Sequence, residues 1–406
     1  MNIVHIASGR GGGAKIAALR LARLQATLGH NVSLISNYPD FSSNNMIQVE
    51  VPREIKGKIF SFIQHKLVSG QYDFVSTLSN NVLDENLIKD MNPTIVHFHN
   101  WFNISNLEAI SKISNSYPTV MTLHDMRIMT GGCHNSLQCN GYLSECSNCP
   151  ASKLLSRAIR KSKKNSDIFN KMEEKIQKIS PSEWLKNKYL EVYPNQIEHI
   201  STIPNAIEET YFSKSSKVKP ENNKEFRIIF CASQPDAPIK GLNQLISAAQ
   251  IFAEENEKSF KVTIHIVGKI GNTNDKMKGV EVIWHGELEP SRIISLICEM
   301  NLGVIASTEE NSPSVITEYQ LQNLPVLASR VGGIPELIED GVTGLLCESG
   351  FESILNGLRR FTMLTGESVK EMTEKAIQAA SVRNDPAVII GRHFEIYSRA
   401  LSERKK

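Results

Sequence analysis

The order of elements at the start of the chain limits the fold more than any other feature. Ile3-Val-His-Ile-Ala7 reads as a buried strand and Ser8-Gly-Arg-Gly-Gly-Gly-Ala14 as a glycine loop. Residues 15–28 carry apolar side chains at helical spacing, and Asn31-Val-Ser-Leu-Ile-Ser36 is a second strand. Strand, glycine loop, helix, strand is how a doubly wound parallel sheet opens. The pattern begins afresh at Phe226-Arg-Ile-Ile-Phe-Cys-Ala232, followed by a helix through Ala253 and strands at 261–267 and 280–285. At 406 residues the chain exceeds one ordinary core. The expectation is therefore an α/β protein of two Rossmann-like doubly wound domains, 1–203 and 204–384, with a last helix at about 385–406.

The chemistry concentrates at Glu310-Asn-Ser-Pro-Ser-Val-Ile-Thr-Glu318. An apolar run at 301–306 precedes it and another short strand at 325–329 follows, so the segment should be a strand-to-helix turn and the helix it opens. Glu310 is expected at the mouth of the turn and Glu318 about two turns along the helix. The backbone at Ser312, Pro313, Ser314 and Val315 then lies at a helix N-terminus, where dipole and unpaired donors favour an anion. Carboxylates accept hydrogen bonds from paired hydroxyls. Phosphate at the helix start with hydroxyl acceptors on both sides describes a sugar-nucleotide site; two glutamates on a solvated helix face are the plainer reading of the pair alone.

Other segments add candidates. The glycines of 9–13 do not match G-x-G-x-x-G and no acidic residue ends the second strand, which disfavours a dinucleotide cofactor. Thr94-Ile-Val-His-Phe-His99 puts His97 and His99 on one face of a strand. Thr119-Val-Met-Thr-Leu-His124-Asp125 is a strand ending in His-Asp, and ligands in open α/β sheets bind at the carboxyl ends of strands. There His124 could hydrogen-bond a hydroxyl or phosphate, with Asp125 orienting it.

Four of the seven cysteines follow at once, Cys133, Cys139, Cys146 and Cys149. In a reducing compartment four thiolates in a loop without a core of its own suit a structural tetrahedral zinc, with His134 as a substitute ligand; buried free thiols and disulfides are the alternatives.

The spacing of Glu310 and Glu318, with Arg330-Val-Gly-Gly-Ile-Pro-Glu336 and Gly341-Val-Thr-Gly-Leu-Leu346 downstream, resembles the retaining family 4 glycosyltransferases, and the cysteine cluster resembles an insertion found in a subset of them. The resemblance spans nearly the whole chain, strongest at 240–346 and weakest at 38–92. It implies a GT-B fold, with two Rossmann-like domains facing across a cleft and the last helix packing back on the first. It further implies transfer of a sugar from a nucleotide-diphosphate sugar to a glycan or lipid-linked acceptor, in bacterial surface polysaccharide assembly. By resemblance Gly12 and Gly13 face the donor diphosphate and acceptor, and Lys240 of Lys240-Gly241 binds donor phosphate. Glu310 holds donor-sugar hydroxyls, Glu318 the ribose diol, and His124 faces the reacting sugar. A basic partner about five residues before Lys240 is usual in the family; Gln234 and Pro235 stand there instead. No acidic motif implies a catalytic metal. A sugar-nucleotide epimerase of the same fold and a non-catalytic, zinc-stabilised binding module are the competing readings.

Charge bears on partners. Residues 1–200 hold 22 Lys and Arg against 16 Asp and Glu, a net +6, whereas the remainder is −4. Basic amphipathic stretches at 53–67 and 153–164 could lie on anionic lipid, or be helices with a solvated basic face. No aromatic interleaving points to nucleic acid. No run of 18 apolar residues and no leader-like N-terminus occurs, so a cytoplasmic protein, peripheral on the inner membrane face at most, is expected.

Overall fold

The computed structural model describes residues 1–9, 11–38, 46–52, 82–102, 104–144, 146, 149–150, 176–213, 224–269, 276–277 and 279–404. The chain divides into two compact units, Met1–Ala206 with Pro386–Lys406, and Ile207–Asp385.

The first unit runs β1 (Asn2–Ile6), α1 (Gly13–Thr27), β2 (Asn31–Ser36), β3 (Ile47–Glu50), α2 (Glu85–Asp90), β4 (Ile95–Phe98), α3 (Leu107–Ser116), β5 (Thr119–Thr122), β6 (Ile176–Ser180), α4 (Glu183–Val192) and β7 (Ile200–Thr202). Its sheet has the order β3-β2-β1-β4-β5-β6-β7 and every pairing is parallel. β4 and β5 are buried along their whole length, as strands covered on both faces must be. The helices start where short polar side chains cap them: Asp84 accepts from the Asn86 N–H, Asn106 from Ala109 and Ser182 from Leu185.

The second unit runs β8 (Glu225–Cys231), α5 (Leu242–Glu255), β9 (Lys261–Val267), β10 (Lys276–Met277), β11 (Val280–Gly286), α6 (Pro290–Ile297), β12 (Leu302–Ile305), α7 (Ser314–Leu321), β13 (Val326–Ser329), β14 (Leu345–Cys347), α8 (Phe351–Thr362) and α9 (Gly366–Arg383). Its order is β10-β11-β9-β8-β12-β13-β14, parallel except for β10 against β11. After Glu336 the sequence pattern is largely helical. The structure adds β14 there, a three-residue edge strand paired with β13, too short for its periodicity to register.

A last helix, α10 (Pro386–Glu403), belongs to the first unit. Ile389, Ile390, Ile396, Tyr397 and Ala400 on it share a buried cluster with Ile3, Leu21, Leu24, Ile95, Val120 and Ile179. α10 thus packs beside α1 against β1, β4 and β5.

In both sheets the strand order reverses about the first strand, between β1 and β4 and between β8 and β12. Loops leaving the carboxyl ends of those strands diverge there and leave a crevice, the usual ligand position in such sheets.

Candidate functional site

In the second unit the reversal point carries Lys240 and Glu310. Lys240 ends a short 3-10 turn (Pro238–Lys240) after β8, and Gly241 follows at φ 74, with its Cα against the Ala306 carbonyl. A Cβ at 241 would lie 2.0 Å from that oxygen, so only glycine lets the β8 turn close onto the end of β12. The Thr308 N–H completes the junction by donating to the Ile239 carbonyl at 2.9 Å. Across it the Lys240 ammonium pairs with a Glu310 carboxylate oxygen, which also accepts from the Ser307 hydroxyl at 3.0 Å. The Lys240 side chain is 28% exposed and that of Glu310 15%, so solvent and a ligand can still reach the pair.

The glycine pair at 332–333 holds Glu310 from the other side. Gly332 sits at φ 56, where a Cβ would meet the Glu310 carbonyl oxygen at 1.7 Å, and the Gly333 N–H donates to that carbonyl at 3.0 Å. Sequence reading uses this segment only as part of a resemblance; its physical role is to fix the backbone of Glu310.

α7 begins at Ser314 with Pro313 as its N-cap, so Ser312 and Pro313 lie just outside the helix and Val315 in its first turn. Glu318 is the fifth residue of the helix, little more than one turn in rather than two, and is buried. Gly303 in β12 makes room for the helix: a Cβ there would be 2.3 Å from the Tyr319 ring. Arg383 of α9, which sequence reading missed, reaches α7 through Thr317 Oγ1 at 3.1 Å and Gln320 Oε1 at 3.0 Å, and burial lowers its pKa to about 10. Gln234 is exposed on the turn after β8, and beside it the Lys269 N–H donates to the Ser233 carbonyl. The segment from 268 reads as an ordinary turn, yet Gly268 sits at φ 140 with the Ala232 carbonyl where a Cβ would go.

In the first unit Gly12, at φ 125, is the N-cap of α1, and Gly13 is its first residue. A Cβ on either would meet nothing within 4 Å. His124 lies just beyond β5, partly exposed, and shares a pocket wall with His99, Thr122, Asn205 and His393. Burial lowers its pKa to about 4, with the Asp125 charge opposing and Arg127 adding to the shift. Asp125 does not hold the imidazole. Its carboxylate is engaged by Arg127, whose Nε lies 2.9 Å from both oxygens and whose other end bonds Asn100. Burial pushes the Asp125 carboxyl up, but Arg127 overrides this and holds it down to about 2.

His124 is oriented from the opposite side. Its Nε2 lies 3.2 Å from His99 Nδ1, and the two rings are stacked. His97 and His99 do share a face, with ring centroids 4.2 Å apart, and His5 of β1, in register with His97, joins them. His5 escaped sequence reading because its partners come from a strand about ninety residues away.

The cysteine-bearing segment is not a coreless loop. Met126, Ile128, Met129 and Tyr142 are buried with Trp101, Phe102 and Tyr193, and the Tyr142 hydroxyl donates to Glu191 of α4 at 2.6 Å. Cys133, Cys139, Cys146 and Cys149 are all half-buried thiols. The Gly141 N–H donates to Cys139 Sγ at 3.3 Å, Cys146 stands at φ 53, and its N–H returns to the Gly141 carbonyl. An N–H aimed at a sulfur stabilises a thiolate, which suits a metal ligand. Among the described residues no three of these sulfurs, with or without His134, come within 4.8 Å of one another; only His5, His97 and His99 do so.

Two family models match. "Glycosyltransferase Family 4" covers residues 11–211 and "Glycosyl transferases group 1" covers 225–361, one on each unit and together most of the chain. The chain is a family 4-type glycosyltransferase of the GT-B fold. Solved glycosyltransferases match it in fold along their whole length. Anabaena HepE, crystallised with UDP-glucose, superimposes with a TM-score of 0.69 at 17% identity, over 98% of this chain and 99% of that one. WaaG, a glycosyltransferase involved in lipopolysaccharide biosynthesis, gives 0.63 at 14%, over 96% and 100%. Among curated sequences, the glycosyltransferase is 23% identical over 275 residues to WcaC of Escherichia coli, described as a colanic acid biosynthesis glycosyl transferase. It is 31% identical over 87 residues to an uncharacterized protein of the Klebsiella pneumoniae cps region. These matches span 65% and 24% of those relatives' own lengths.

Proposed function

We propose that this glycosyltransferase moves a sugar from a nucleotide-diphosphate donor to a glycan or lipid-linked acceptor in surface polysaccharide biosynthesis, with retention at the anomeric carbon. The observation that carries the reading is the meeting of Lys240 and Glu310 at the reversal point of the second sheet. A sugar nucleotide needs a cation and a hydroxyl-binding carboxylate side by side, because its sugar is bonded directly to phosphate. In the reaction an acceptor hydroxyl oxygen bonds to the anomeric carbon. The carbon–oxygen bond to the diphosphate breaks, its electron pair stays on the phosphate, and the departing phosphate oxygen takes up the hydroxyl proton. Lys240 and the start of α7 stabilise that charge. Glu310 holds sugar hydroxyls and Glu318 the ribose diol, while in the first unit Gly12 and Gly13 leave room for ligand and His124 orients the acceptor.

The polysaccharide setting draws support from what the relatives are described as doing, and the donor class from the UDP-glucose held by Anabaena HepE. Zinc on the four cysteines is part of the proposal as a structural element, supported by the thiolate-directed N–H at Cys139. So is peripheral contact with anionic lipid, whose carriers at 53–67 and 153–164 lie outside the described residues. The reading is tested by thermal shift against a panel of nucleoside diphosphates, followed by hydrolysis of the matching nucleotide sugars. A nucleotide that raises Tm at 100 times its Kd contributes about 2.7 kcal/mol. Release of epimerised nucleotide sugar without loss of nucleotide would establish the epimerase instead, and a flat panel would leave a binding module.

A further inference from the structure

Lys240 and Glu310 stand on backbone held in place from both sides. Gly241 ties the Lys240 turn to the end of β12, while Gly332 and Gly333 fix the backbone of Glu310. The pair can therefore open by rotation of its side chains with the backbone unmoved. Among the described residues neither the ammonium nor the carboxylate has a second ion pair. Glu310 Oε1 accepts from the Lys240 ammonium and from the Ser307 hydroxyl together. Ser307 is buried, so its hydroxyl stays with the carboxylate whatever the ammonium does. Both charged groups belong to the second unit.

An ionised carboxylate only accepts hydrogen bonds and an ammonium only donates them. To bind a phosphate, the Lys240 ammonium must give up Glu310, and the carboxylate then needs new donors. Sugar hydroxyls are donors. Phosphate oxygens are acceptors of the same charge as the carboxylate. A sugar nucleotide thus brings phosphate to Lys240 and hydroxyls to Glu310, and replaces both halves of the pair. A bare nucleoside diphosphate brings phosphate alone. Its terminal group also gains a further negative charge near neutral pH, with a second pKa of about 6, where the sugar would otherwise be attached. Glu310 is then left with the Ser307 hydroxyl and a like charge beside it, a costly state for a half-buried carboxylate.

We propose that Glu310 is a specificity-determining residue that selects the sugar nucleotide against the bare nucleoside diphosphate by competing for Lys240. Once the sugar has been transferred, the bare diphosphate remains, and closure of the Lys240–Glu310 pair drives it off. The selection rests on the transferase reading for its ligands; the ion pair does not. It also explains why a carboxylate stands at 310. An amide there would bind sugar hydroxyls as well, but would leave Lys240 free for any phosphate.

The test measures binding of UDP and UDP-glucose to the full-length protein by calorimetry; if the thermal-shift panel selects another base, its diphosphate and glucose conjugate take their place. Glu310→Gln keeps the size and a hydroxyl acceptor and removes the charge. It should bind UDP about tenfold more tightly than wild type, about 1.4 kcal/mol, because solvent screens part of a half-exposed pair. UDP-glucose should bind several-fold more weakly. Stopped-flow displacement should show UDP leaving the variant about tenfold more slowly. Lys240→Met isolates the pair: adding Glu310→Gln to it should change UDP affinity by less than about threefold, since no ammonium remains to be released. If Glu310→Gln fails to fold, Glu310→Ala gives the same comparison. Unchanged or weaker UDP binding in a folded variant overturns the inference, as does an equal loss of UDP and UDP-glucose, the mark of a merely structural role. Equal tightening with and without Lys240 overturns it too, because repulsion alone would then account for the effect. In each of these cases hydrolysis of UDP-glucose by the wild type leaves the transferase reading standing. A wild type that binds no nucleoside diphosphate in the panel overturns both.

Discussion

Glu318 isolates the donor half of the site at the scale of one residue. It lies buried inside α7, which Tyr319 and Arg383 lock to the sheet and to α9. Glu318→Gln keeps the shape and removes the charge. The expected result is a loss of about 1.5–3 kcal/mol of nucleotide binding, roughly 10- to 150-fold, with Tm within a few degrees of wild type. Isothermal calorimetry with the nucleotide found in the thermal-shift panel decides this, and unchanged affinity would remove the ribose assignment. Glu310 offers no such clean test, because removing its carboxylate leaves the Lys240 ammonium without its partner.

Among the elements, the stretch from Met126 to Cys149 carries the most separable expectation. It is anchored by Met126, Ile128, Met129 and Tyr142, so its fold does not rest on a metal alone. The four thiols, Cys133, Cys139, Cys146 and Cys149, are spread along it and half-buried. One zinc per chain should appear by elemental analysis of protein purified without chelator. Cys146→Ser should lose that zinc and lower Tm by several degrees, while nucleotide affinity stays at the wild-type value because Lys240, Glu310 and Glu318 sit in the other unit. Four titratable thiols in metal-free, fully active protein would end the zinc proposal.

For the whole molecule, the histidine cluster sets the response to acid. His5, His124 and His393 have pKa values lowered to about 4 by burial, and His97 and His99 lie well below the ordinary 6.5. Above pH 6.5 these groups are neutral in folded and unfolded chains alike and make no difference to stability. Below it the unfolded chain takes up protons that the folded chain refuses until about pH 4, so stability falls with pH across that window. Each histidine held neutral contributes a slope of about 1.4 kcal/mol per pH unit. Tm measured from pH 7.5 to 4.5 should drop steeply below 6.5, and His5→Asn should flatten the drop; a flat wild-type profile would contradict the burial of the cluster. The basic excess of the first half makes a second prediction at this scale. Binding to anionic vesicles should weaken with salt and be missing with neutral ones, as a sedimentation assay would show. Among the described residues no helix is long and apolar enough to cross a membrane.

The amino-acid pattern alone determined the two α/β units, because buried parallel strands must be apolar runs and the helices between them must be amphipathic. It also singled out Glu310, Glu318 and His124, and by resemblance Lys240, since each sits in a local motif in a turn after a strand or on the helix that the turn opens. Local patterns could not reveal what distant segments bring to one another. That Lys240 and Glu310 meet depends on β8 and β12 being neighbours. That Gly332 supports Glu310 depends on a close approach between backbones. That Asp125 turns to Arg127, and His124 to His99, follows from competition for hydrogen bonds in a packed interior. The buried histidine cluster is the extreme case. His5, Gln25, His99 and Tyr397 are joined by hydrogen bonds yet come from β1, α1, the end of β4 and α10, and none is near another in sequence. A single strand or helix specifies which face a side chain occupies; only the assembled sheet and its covering helices specify what it meets there.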